Sequence, residues 1–274
     1  MVDDICDSFL LFAEGAFRTA LSQVTEQERC SGSGADVAGL WERGQHFLLR
    51  GRAHHNIGLA MYELARHAEV VPASPSPVQH GSAGKRTPKE LYARAIAEFD
   101  AAESRARSLR RHAASIHGHA NAKDASIQND NWMSWADEAT VHSFRALQLE
   151  CVAIDLRISC SWKLGRRKDA EEGFDGFFAT YAPADVPGFD VAEGLSSLDV
   201  AEALDGMYGL AMRHAESSIQ SLEELTKQRA WKVEVGEELF RQSRKAMERA
   251  SSLSDLLLDF AKRRCPDFVF ILFH

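Results

Sequence analysis

Residues 91–102 read LYARAIAEFDAA. Side chains three and four positions apart lie above one another on a helix, so Ala95, Phe99 and Ala102 share one face. The small residues admit a neighbouring helix closely, and the ring fills the space between them. The same order, Ala-x3-Phe-x2-Ala or Phe, returns at Ala13-Phe17-Ala20 and at Ala170-Phe174-Phe177. This repeated period belongs to packed helices and not to alternating strands.

Outward from these segments, helical periodicity dominates the chain. It predicts helices over 3–28, 36–68, 89–117, 134–164, 167–179, 197–228 and 232–263. CSGSG at 30–34, Gly165 and Pro266 are breaks. Thr87-Pro88 suits an N-cap followed by proline in the first turn. The expectation is an all-α fold of about seven helices, as stacked antiparallel hairpins or a helix bundle. It is read as a single domain, 1–274, with exposed loops near 69–87 and 118–131 and an apolar tail at 267–274.

The chain resembles the tetratricopeptide-repeat family over about half its length, in degenerate form. HHNIGLAMYELARH at 54–67 is similar to that family's first helix, with Asn56-Ile57-Gly58 at its core and Met61 at the aromatic position. LYARAIAEFDAA matches the second helix through Tyr92, Ala95, Ile96, Phe99 and Ala102. WKLGRRKDAEEGF at 162–174 resembles a hairpin turn and second helix, although Arg157 and Ile158 depart from the first-helix pattern before it. The family's period is 34 residues, and here matching helices recur at about twice that. The resemblance implies a scaffold that binds a peptide in a groove lined by first helices. By position, the groove residues are Arg52, His55, Leu59, Tyr62 and Glu63, then Asp155, Ser159, Trp162 and Lys163. Leu59 and Ser159 stand where the family's carboxylate clamp carries Asn, so binding of a terminal carboxylate is not implied.

Composition narrows the function classes. A net charge of -8 disfavours general nucleic-acid binding, because phosphate backbones select basic surfaces. Five cysteines, widely spaced and without a C-x-x-C pair, do not form a disulfide or zinc-ribbon pattern. No apolar run approaches the roughly 20 residues of a membrane span. The expectation is a soluble cytoplasmic protein, with the nucleus left open, that binds a protein or peptide and uses no cofactor.

Candidate chemistry is sparse. The sequence shows no P-loop, nucleophile elbow or dinucleotide fingerprint. His112, His117, His119, Glu138 and His142 lie near one another in sequence and supply an alternative: a helical-bundle enzyme or metal protein. Solvated histidines are the simpler reading, so no metal is assigned. Arg107, Arg110 and Arg111 share a face of the third helix, with Arg105 close by. They either complement the dipole at a helix C-terminus or contact an acidic peptide or phosphate. Trp132 and Trp135 read as core anchors or interface aromatics. The tail, through Phe268, Phe270, Ile271, Leu272 and Phe273, offers a surface for capping or self-association.

Overall fold

A computed structural model describes residues 2–30, 37–70, 87–122, 131–180, 197–227 and 233–264. Among them are seven helices and no strands: α1 (Val2–Cys30), α2 (Val37–Val70), α3 (Pro88–Ala122), α4 (Asn131–Lys163), α5 (Arg167–Thr180), α6 (Ser197–Lys227) and α7 (Val233–Arg264). The all-α fold and every expected helix are present. The largest boundary difference is at α3, which continues to Ala122, into the stretch read as a loop from 118. Ala120 and Ala122 are strong helix formers and carry it on. Residues 71–86, most of the other expected loop, and the 267–274 tail lie outside the described residues.

Local chemistry explains the ends. Thr87 and Glu90 form a reciprocal capping box at the start of α3. The Thr87 N–H donates to Glu90 Oε2 at 2.8 Å, and the Glu90 N–H donates to Thr87 Oγ1 at 3.3 Å. These bonds hold the exposed Glu90 carboxyl below its ordinary pKa. At the end of α4, Gly165 takes a φ of 73°, a left-handed conformation that favours glycine. The Gly165 N–H donates to Trp162 O at 2.9 Å and the Arg166 N–H to Ser161 O at 2.8 Å, the paired bonds of a Schellman cap.

The chain divides into two compact units, Met1–Ala170 and Glu171–His274. In the first, α2 is packed by α1, α3 and α4, and α3 also packs on α4. The core falls into separate clusters of buried apolar side chains. Ile57, Met61 and Leu64 of α2 meet Tyr92, Ala95 and Phe99 of α3 and Cys160 of α4, with Phe17 and Leu21 of α1 against them. Farther along, Leu48 joins Ala106, Leu109, Ala146 and Leu149.

Three glycines seven residues apart, Gly44, Gly51 and Gly58, set the close approach of these helices. A Cβ at Gly44 would lie 3.0 Å from the His142 ring, one at Gly51 2.6 Å from Leu149, and one at Gly58 2.8 Å from the Phe99 ring. Gly58 is therefore seated on Phe99. The same neighbours give the directions. Along α2, positions 44, 51 and 58 meet 112, 105 and 99 of α3 in descending order, while 44 and 51 meet 142 and 149 of α4 in ascending order. So α3 runs antiparallel to α2, and α4 runs parallel to α2. Helix α1 runs parallel to α3: Arg94 pairs with Glu14 at 3.7 Å, and Glu98 pairs with Arg18 at 3.3 Å. His54 of α2 also bonds Glu98, at 2.8 Å, and this bond is the largest cause of the lowered Glu98 pKa.

In the second unit α6 packs on α7. Gly236, Leu239, Ser243, Ala246, Ala250 and Leu253 are buried at alternating three- and four-residue steps, the seam of a heptad repeat. Phe174 of α5 stacks on His214 of α6 with ring centroids 4.4 Å apart and planes at 15°. The Ala-x3-Phe pattern is fully buried at Ala95-Phe99-Ala102 and at Ala170-Phe174-Phe177. In α1 it is only partly so: Phe17 is half-buried and Ala20 is exposed.

Candidate functional site

The groove residues expected on α2 and α4 separate into two sets. His55 and Tyr62 turn inward to α3: their rings lie 5.9 Å from Phe99 and 5.8 Å from Tyr92. Burial lowers the His55 pKa, so its ring is neutral near pH 7. Arg52 is exposed, and Leu59 and Glu63 are half-buried. Glu63 accepts two bonds from Arg66, at 3.1 and 3.2 Å, and that guanidinium lies 5.7 Å from the Tyr62 ring. On α4, Asp155, Ser159 and Trp162 are half-buried, and the Ser159 hydroxyl donates to the Asp155 carbonyl at 3.0 Å. Lys163 ties the C-terminal ends of α2 and α4 together by bonding Glu69 at 2.6 Å. The expected residues left at or near the surface, the α2/α4 strip, are Arg52, Leu59 and Glu63 on α2 and Asp155, Ser159, Trp162 and Lys163 on α4.

The basic residues belong elsewhere. Because α3 runs to Ala122, Arg107, Arg110 and Arg111 sit well before its last turn, where a helix-dipole contribution has faded. That correction leaves side-chain partners as their setting. All three line a cleft of about 580 Å³ with Asp100, Glu103 and Ser104 of α3. The lining is completed by Arg157 of α4. Arg107 pairs with Glu103 and donates at 2.8 Å to Glu150, which is 1% exposed. Arg157 pairs with Glu103 at 3.3 Å and with Asp100 at 3.4 Å. Burial raises the Glu150 pKa, and the neighbouring guanidinium groups of Arg107 and Arg110 oppose the rise. Burial also lowers the pKa of Arg110; Glu150 opposes the fall, and the like-charged Arg107 and Arg111 add to it. Arg157, out of place in a repeat's first helix, is explained as the α4 side of this network.

Two residues of the histidine region, His112 and His142, are packed between helices. His112 and His142 converge on Gly44; His142 is buried and lies 3.0 Å from the Gln45 amide, and Phe47 meets His112 edge-on at 5.9 Å. Among the described residues no group of three or more His, Cys, Asp or Glu is placed to hold a metal. The side chains of His117, His119, Glu138, Trp132 and Trp135 lie outside the described residues. Cys151 and Cys160 are buried; burial pushes the first thiol well above its ordinary pKa and the second up to about 12, so neither is a thiolate at neutral pH.

Gly44, Gly51, Glu103 and Glu150 were not among the residues expected from the sequence. The sevenfold glycine spacing was visible, as was the Glu103–Arg107 pair one turn apart. Glu150 carried no signal, since its burial depends on a helix from elsewhere in the chain. Apolar surface remains at Phe9 and Phe12 of α1 and at Phe240 and Met247 of α7. No described helix is long and apolar enough to cross a membrane. Comparison with protein-family models, curated proteins and solved structures finds no match in any of the three.

Proposed function

We propose that this chain is a protein-interaction scaffold of tetratricopeptide-like hairpins that receives a peptide along the α2/α4 strip. One observation carries the reading: α2 and α4 run parallel and in contact, while α3 returns antiparallel between them in sequence. That is the relation of two successive first helices joined through a second helix. Their surface residues supply both charges and one apolar contact: Arg52 and Lys163, Glu63 and Asp155, and Leu59. Such a strip suits an extended or helical segment held by a few side-chain anchors. The partner class is a protein or peptide, with no cofactor.

The test is selection of peptides from a random display library on the full chain, followed by affinity measurements on Arg52→Ala/Glu63→Ala. Both side chains are outside the core, so the melting temperature should hold. Selected peptides should lose at least about tenfold in affinity, the scale of one hydrogen bond to a charged group. Equal affinity in the variant, or no enrichment at all, contradicts the reading. Stoichiometric zinc, iron or manganese in protein purified without added metal would instead favour a metal protein.

A further inference from the structure

We infer that the arginine cleft between α3 and α4 is a binding site for a small phosphorylated polyol. The α2/α4 strip is a separate surface: Asp155 and Arg157 point roughly 160° apart around α4. The inference therefore does not depend on the peptide reading.

Three features carry it. The first is charge: the lining holds four arginines against two carboxylates, and Glu150 behind Arg107 brings the count to four against three. The excess cation sits on a chain whose net charge is -8, so this is a local reversal of sign. The like charges of Arg107 and Arg111 act on Arg110 against the attraction of Glu150, and a bound anion would add to that attraction. The second is construction: Arg107 and Arg157 are each held by two carboxylates, which fixes guanidinium groups before a ligand arrives. Such planar forks match phosphoryl oxygens two bonds at a time. The third is polarity: every lining residue is charged or hydroxylic, and none is apolar. The cleft's volume is in the range of small-ligand sites. Asp100 and Ser104 can bond sugar hydroxyls, while the arginines take the phosphoryl groups.

The experiment is titration calorimetry on the full chain at fixed ionic strength, with fructose 1,6-bisphosphate, pyrophosphate and unphosphorylated fructose as probes. The bisphosphate should bind once per chain and about tenfold more tightly than pyrophosphate, the worth of an added hydrogen bond. Fructose alone should not bind. Two variants test the place. Arg111→Gln removes an exposed charge, and Ser104→Tyr fills the cleft without changing charge; each should abolish binding while leaving the melting temperature unchanged. Absence of binding, equal affinity for pyrophosphate, or binding indifferent to both variants overturns the inference.

Discussion

The fold's tightest constraints are single residues. Gly58 faces the rigid Phe99 ring, whereas Gly209 of α6 has nothing within 4 Å of an added Cβ. Both lie within helices, where replacing glycine by alanine is worth about 1 kcal/mol when space allows. Gly209→Ala should therefore raise stability by roughly that amount in a denaturant melt. Gly58→Ala should fail to do so, and Gly58→Leu should cost about 1–3 kcal/mol through overpacking. Equal gains at the two alanine sites would show that α2 and α3 are not in close contact. Glu150 gives a second case. Removing Arg107 takes a 2.8 Å donor from the buried Glu150 carboxyl, so Arg107→Ala should cost about 1–3 kcal/mol. Adding Glu150→Gln should recover much of the loss, and a double-mutant cycle measures that coupling. Gly58 was legible in the sequence because glycine in mid-helix demands a packing reason. Glu150 was not, because nothing in its own neighbours shows that α3 will cover it.

At the scale of elements, helix positions were legible because they depend on local chemistry: periodicity, the Thr87–Glu90 cap and the Gly165 turn. Which helix meets which was less so. The stack of Phe174 on His214 joins α5 to α6, and only half of it appeared in the Ala170-Phe174-Phe177 pattern. That stack sets a pH dependence. Burial pushes the His214 pKa down to about 4, from an ordinary 6.5. Between those values the unfolded chain binds the proton and the folded chain does not. The contribution is complete above about pH 6.5 and is lost as pH falls toward 4. Thermal melts from pH 7 to pH 4.5 should show wild type losing stability faster than His214→Gln. Parallel curves would mean that the imidazole is not held neutral in the fold.

For the whole molecule, composition and period sufficed for the all-α class, since few other architectures bury such stripes. The binding surface was legible only in part. Position alone cannot tell that His55 and Tyr62 turn to α3 while Arg52, Leu59 and Glu63 stay at the surface, because all five occupy one stretch of α2. The α3/α4 network was missed as a unit because its charges come from segments more than 40 residues apart, as in the 43-residue separation of Arg107 and Glu150. The central claim is that a peptide lies on α2 and α4. A photo-crosslinking residue placed at Leu59, and in a second variant at the exposed Ala97 of α3, tests it directly with a library-selected peptide. The expected result is a crosslinked product from Leu59 and none from Ala97. Crosslinking from Ala97 alone, or equally from both positions, would contradict it.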